Sequence, residues 1–275
     1  MTPSPVTASP VTARSALVQG FATSFFATSI KAFAMDLTVK ICGLSSPGTV
    51  DAAVAAGADM VGFVFFPPSP RHVAFAAAGT LAARTGSRAV RVALTVDADD
   101  AWLDAAVAAL RPGLLQLHGR ETPERVRAVR ARFELPVMKA LAIETAADLA
   151  AVPAFAAAAD HLLFDARPPR SATRPGGHGA PFDWRILKDL DPRVPFMLSG
   201  GLDPDNVAAA VAATGAGGVD VSSGVERRPG DKDPALIRAF VAAARAATAA
   251  TERKETGSKE TGRRDEDGRA DQVGA

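Results

Sequence analysis

Tyrosine is absent from this chain, and cysteine occurs once, at position 42. Without tyrosine no phenol can serve as acid, base or ligand. A single cysteine excludes an intrachain disulfide and a cysteine-rich metal site, and fits a reducing compartment. Net charge is also missing: 31 basic residues against 30 acidic leave +1. No overall field therefore favours nucleic acid or an anionic membrane. No apolar run approaches the roughly 20 residues that span a bilayer. His72, His161 and His178 stand at no metal-ligand spacing. Neither nucleic acid, membrane nor metal is an expected partner, and the expected location is cytoplasmic.

What is present is an apolar fraction of 48%, ample for a sizeable core. It is organised as short runs rich in Val, Leu, Ile and Phe, at 38–42, 60–65, 89–95, 114–117, 136–141, 161–165, 195–199 and 217–221. Most lack strict alternation, as expected of parallel strands covered on both faces. Between and after them, helices are expected at 47–56, 74–84, 100–110, 122–133, 145–158, 183–190, 204–213 and 233–248. Ser46-Pro47, Thr122-Pro123 and Asp203-Pro204 each set a capping residue before a first-turn proline. Eight βα units predict a single (β/α)8 TIM barrel over 36–248. An open doubly wound sheet is the alternative, but no Gly-x-Gly-x-x-Gly follows the first strand.

The two ends differ from this middle. Residues 1–35 are rich in Ser, Thr, Pro and Ala, with no acid. They read as a disordered or non-native extension, of transit-like composition or upstream of a true start at Met35. Residues 249–275 carry mixed charge and almost nothing apolar, and read as a disordered polar tail.

Two strands deliver a proton-transfer group at their C-terminal ends. Val39-Lys40-Ile41-Cys42-Gly43 ends on the one thiol, and His161-Leu162-Leu163-Phe164-Asp165 ends on a carboxyl. That end of a barrel is where chemistry sits, so the pair suggests general acid–base catalysis. After strand seven comes Ser199-Gly200-Gly201, and after strand eight Ser222-Ser223-Gly224. Loops at these two places often bind phosphate through backbone N–H groups, so Gly200, Gly201, Ser222, Ser223 and Gly224 are candidate phosphate ligands.

In order along the chain, Lys40-Ile41-Cys42-Gly43, the run from Gly62 to Arg71, Gln116-Leu117-His118-Gly119, Asp165 with Gly176-Gly177-His178-Gly179, Ser199-Gly200-Gly201-Leu202 and Asp220-Val221-Ser222-Ser223-Gly224-Val225-Glu226 together resemble the phosphoribosylanthranilate isomerase family of tryptophan biosynthesis. The resemblance spans 38 to about 245. It implies an Amadori rearrangement of N-(5-phosphoribosyl)anthranilate to 1-(2-carboxyphenylamino)-1-deoxyribulose 5-phosphate, with no cofactor and no metal. By position it makes Asp165 the general acid and Cys42 the general base. Arg71 would meet the anthranilate carboxylate. Gln116, His118 and Asp220 would line the substrate site, His118 being the rival base. Asp220 could also help Asp165 keep its proton, if it lies across the barrel mouth. The stretch 170–181 reads as a loop able to close over substrate. Family members occur as monomers and homodimers, and either is expected here.

Two related barrels bind phosphate in the same place. Indole-glycerol-phosphate synthase uses lysine catalysis and the tryptophan synthase α-type barrel uses paired carboxylates. A strand-end thiol with a carboxyl suits neither. A non-catalytic phosphometabolite-binding barrel is the reading from another class.

Overall fold

Every one of the eight apolar runs forms a strand in the computed structural model, which describes residues 37–167 and 182–248. The strands are β1 (Thr38–Cys42), β2 (Met60–Val64), β3 (Val90–Thr95), β4 (Leu114–Leu117), β5 (Val137–Ile143), β6 (His161–Ala166), β7 (Phe196–Leu198) and β8 (Gly218–Val221). Each pairs in parallel with the next, and β8 closes on β1 with Lys40 opposite Asp220. All eight C-terminal ends therefore open on one mouth.

Strand parity decides what faces where. On β1, Val39 and Ile41 are fully buried in the layer shared with the helices. Burying two such side chains contributes on the order of 1.5–3 kcal/mol each, and that fixes the register. Lys40 and Cys42 then turn inward. The barrel interior is filled by a lower layer of Met60, Val92, Leu114, Met138, Ala140, Leu163 and Met197. Above it, at the mouth, Cys42 packs with Val64 and Leu94.

The first four helices form where expected: α1 (Pro47–Ala55), α2 (Phe75–Thr85), α3 (Asp100–Leu110) and α4 (Pro123–Phe133). Ser46, Asp99 and Thr122 cap three of them through their side chains. Beyond β5 the helices shorten. The expected 145–158 helix is a 3-10 turn (Ala146–Ala151) leading into α5 (Val152–Ala156). Asp148 turns back to accept from the Glu144 and Thr145 N–H groups, and Pro153 supplies no donor, so one continuous helix does not form. The expected 183–190 helix is a single 3-10 turn, Trp184–Leu187. Asp183 caps it by accepting from Arg185 N–H, and Pro192 stands close beyond it. α6 (Val207–Thr214) begins three residues late, because Asp203 Oδ1 accepts from both Asp205 and Asn206 N–H and holds them in a turn. The last helix, α7, runs over 234–248.

One element was not expected. β9 (Glu226–Arg228) and β10 (Asp231–Lys232) form a small antiparallel hairpin just after β8. Its sequence, Glu-Arg-Arg-Pro-Gly-Asp-Lys, has no apolar alternation and reads as loop. The N-terminal extension, the segment 168–181 with the expected closing loop, and the tail from 249 lie outside the described residues.

Candidate active site

Cys42 is the last residue of β1 and is buried under the mouth, against Val64 and Leu94. Burial pushes its thiol up, and Asp220 adds to this; Lys40 and Lys232 pull it down without offsetting burial. Lys40, two residues earlier on the same face, is fully buried and pairs with Asp220 Oδ1 through Nζ at 2.9 Å. Burial alone would lower the Lys40 ammonium, but Asp220 and Cys42 outweigh it and hold it above the ordinary lysine value. Asp220 also accepts a long hydrogen bond, 3.5 Å, from Ser199 Oγ. Asp220 thus serves the β1 side of the mouth through Lys40, and the expected help to Asp165 is not what its contacts provide.

Asp165 has a different partner. Its Oδ2 lies 3.2 Å from His118 Nε2, and His118 Nδ1 lies 3.0 Å from Gln116 Nε2. The three side chains make a chain running from the interior of β4 to the end of β6. The other Gln116 amide atom, Oε1, is buried without a hydrogen bond. The turn that carries His118 is braced from behind by two residues with no motif to announce them. Glu121 accepts from Gly119 N–H and Asp97 N–H. Lys139, on the outer face of β5, donates to the Gly119 carbonyl at 2.7 Å and to Glu121 at 2.8 Å. Both lysines on the barrel strands, Lys40 and Lys139, are therefore committed to carboxylates.

Arg71 is buried, and Glu226 takes its Nε and Nη2 at 2.7 Å each. The planar fork expected for a substrate carboxylate is thus already filled along one edge, leaving its Nη1 side. Lys232, on β10, holds the same Glu226 at 2.8 Å, so the unexpected hairpin ties the β2 loop to the β8 loop. Burial lowers Lys232 to about 8, against the pull of Glu226. Burial alone would raise Glu226, but hydrogen bonds and charge from Arg71 and Lys232 hold it below the ordinary range.

Removing one member of such a buried cluster leaves the others unpaired. Glu226→Gln is expected to cost about 3–5 kcal/mol at neutral pH, towards the low end because Lys232 can shed its proton. The sign follows from linkage. A depressed carboxyl contributes stability above its unfolded value, about 4.3 for glutamate, and loses it as pH falls through the folded value. Urea midpoints of wild type and Glu226→Gln should therefore differ at pH 7 and converge below about pH 4. A gap that stays constant down to pH 3 would show that the lost stability is not the carboxylate's charge.

The phosphate candidates cluster at the same mouth. Gly200 and Gly201 follow β7 with φ of 86° and 68°, a left-handed backbone that favours glycine. Ser222 follows β8, and Ser223 and Gly224 begin the 3-10 turn Ser223–Val225. A side chain on Gly224 would overlap the Leu202 carbonyl, so glycine is what lets the two loops meet. The Ser222 hydroxyl is not free as a donor: it donates to the Cys42 carbonyl at 3.2 Å, while Lys232 donates to both Ser222 oxygens. Ser222 is left to offer an anion its backbone N–H.

The comparisons with known proteins agree with one another. The family model described as N-(5'phosphoribosyl)anthranilate (PRA) isomerase matches residues 39–243. The chain is 66% identical over 212 residues to the N-(5'-phosphoribosyl)anthranilate isomerase of Rhodopseudomonas palustris (strain BisB5), covering 77% of this chain and 97% of that protein. It is 63% identical over 213 residues to the enzyme of the same name from Nitrobacter hamburgensis, covering 78% and 95%. Among solved structures, phosphoribosyl anthranilate isomerase from Thermotoga maritima superposes with a TM-score of 0.70 at 32% identity, covering 76% of this chain and 99% of that one. A phosphoribosyl anthranilate isomerase in complex with reduced 1-(o-carboxyphenylamino)-1-deoxyribulose 5-phosphate gives 0.67 at 30% identity, again covering 76% and 99%.

Proposed function

The chain belongs to the N-(5'-phosphoribosyl)anthranilate isomerase family, and from that premise we propose that it carries out the family's Amadori rearrangement with Asp165 as general acid and Cys42 as general base. Relatives 60% to 66% identical carry that name, which places the reaction in tryptophan biosynthesis. No described helix is long and apolar enough to cross a membrane; we read the enzyme as cytoplasmic from its pathway.

The observation that carries the residue roles is positional. A thiol at the end of β1 and a carboxyl at the end of β6 face one mouth, whose β7 and β8 loops are built around glycines and backbone N–H groups. The phosphate would dock on those loops, with the ribose ring held over Cys42 and Asp165. Asp165 gives its proton to the ring oxygen as the C1–O bond breaks, and the anilino nitrogen lone pair forms the Schiff base. Cys42 then takes the proton from C2. The C2–H pair becomes the C1=C2 bond of an enolamine, and the C=N pair returns to nitrogen. Tautomerisation gives the ketone. Arg71 offers its Nη1 side to the anthranilate carboxylate, a charge-assisted contact.

The Gln116–His118 contact bears on the acid. With the Gln116 amide turned over, Oε1 accepts from His118 Nδ1–H, and His118 Nε2 becomes an acceptor for a protonated Asp165. The reverse orientation makes Nε2 a donor to the carboxylate that remains after proton transfer. The same chain of contacts serves both halves of the cycle. Lysine catalysis of the synthase type finds no support, since Lys40 and Lys139 are held by Asp220 and Glu121.

Anthranilate fluorescence tests the activity. Phosphoribosylanthranilate generated in situ should lose its signal rapidly when the purified chain is added. No loss with folded protein would discard the reading in favour of a binding barrel or another sugar-phosphate enzyme.

A further inference from the structure

A fully buried lysine needs a reason. Lysine is almost never fully buried unless paired, and a buried ion pair is weak evidence for stability, since apolar replacements of similar size often do as well. Lys40 has its pair in Asp220, yet its Nζ also reaches a second group. Gly62 on β2 is the register partner of Cys42. A Cβ added at Gly62 would lie 3.0 Å from Cys42 Sγ and 3.2 Å from Lys40 Nζ. The thiol and the ammonium therefore both border the space a side chain at 62 would have filled, and each acts on the other's charge.

We propose that Lys40 is a positioning residue for the base: anchored by Asp220 and admitted by the missing side chain of Gly62, its ammonium supplies the positive charge beside Cys42 Sγ that makes the thiolate reachable. The inference rests on the reading of Cys42 as general base. β1 contributes Lys40, β8 contributes Asp220 and the hairpin contributes Lys232. β2 and β3 present only Val64 and Leu94, with Phe66 and Val96 beside them. Burial among these apolar groups raises the thiol, and Lys40 is the largest influence opposing it. In a site of low dielectric a cation beside the sulfur acts far more strongly than it would in water. Thiolate sulfur takes the C2 proton and becomes the thiol beside an ammonium that stays charged throughout.

Because Cys42 is the only cysteine in the chain, alkylation reports on it alone. Iodoacetamide labelling, followed by intact mass across pH 6–10, gives the pH at which the thiolate forms. Lys40→Met alone would strand Asp220, so the variant to use is Lys40→Met/Asp220→Asn, which removes both charges. Its midpoint should still rise, because Lys40 lowers the thiol by more than Asp220 raises it, and labelling at pH 7 should slow by the corresponding factor, tenfold for each pH unit. Gly62→Ala keeps both charges but forces Nζ and Sγ apart; its midpoint should rise as well, and it serves where the double variant fails to fold. Lys40→Arg should recover part of the shift, because it restores the charge. In Gly62→Ala the acid limb of kcat/KM should move with the labelling midpoint, which a purely structural role for Lys40 would not produce. A wild-type midpoint in either folded variant overturns the proposal. Full turnover by Cys42→Ala would instead overturn the base assignment, while a shifted labelling midpoint would still place Lys40's charge on the sulfur.

Discussion

Asp165→Asn is expected to lower kcat by about three orders of magnitude, within the range for removal of a general acid, with KM changed only a few-fold. Asparagine keeps the shape of the carboxyl, and its oxygen can still meet His118 Nε2, so the site should stay assembled. What it cannot do is give up a proton as the ring C–O bond breaks. The loss then falls on the transition state and leaves substrate binding largely alone. Thermal stability should change little, because among the described residues Asp165 is held by His118 and by its own neighbour's N–H, Ala166. Fluorescence progress curves for the two proteins check the first point, and melting curves the second. Near-wild-type turnover would move the acid role to His118, which lies 3.2 Å from the carboxyl and is the nearest alternative donor.

The parts of this protein legible in the sequence were those set by local chemistry. Apolar runs without alternation marked all eight strands, two of them to the residue, and a capping side chain before proline marked α1 and α4. That Cys42 and Asp165 would face one mouth was visible because strand ends in a barrel open together. What stayed hidden depended on distant partners. Nothing in the local sequence of Lys139 says that it braces the His118 turn from the outer face of β5, or that Glu121 is its partner 18 residues away. Arg71 and Glu226 lie 155 residues apart, so a sequence reading assigns the guanidinium to the substrate and misses the carboxylate already on it. The sequence likewise allows Asp220 to help Asp165 across the mouth and does not point to Lys40. The β1–β8 closure that puts it opposite Lys40 exists only once the barrel shuts. The shortened helices after β5 were missed because Asp148 and Asp203 divert backbone N–H groups into turns, which apolar periodicity does not report.

Cys42→Ala should cost kcat about as much as Asp165→Asn, again on the order of a thousandfold. Here the contrast between activity and stability is the informative part. The sulfur packs against the apolar Val64 and Leu94, with Phe66 and Val96 beside them, so its removal is expected to lower stability by about 1 kcal/mol, as for a small buried group. Alanine at 42 would leave Lys40 and Asp220 paired beneath an empty pocket. Cys42→Ser sharpens the test. Serine fills nearly the same space, but its hydroxyl is far less acidic than a thiol, and the ammonium of Lys40 would not bring an alkoxide within reach near neutrality. Both variants should therefore be nearly inactive while folding and binding the product analogue close to normally. Measured together, kcat, product-analogue affinity and melting temperature separate the alternatives. Loss of affinity in step with kcat would make Cys42 a packing residue. Turnover retained in both variants would pass the C2 proton to His118, whose ring already stands between Gln116 and the acid on the opposite side of the mouth.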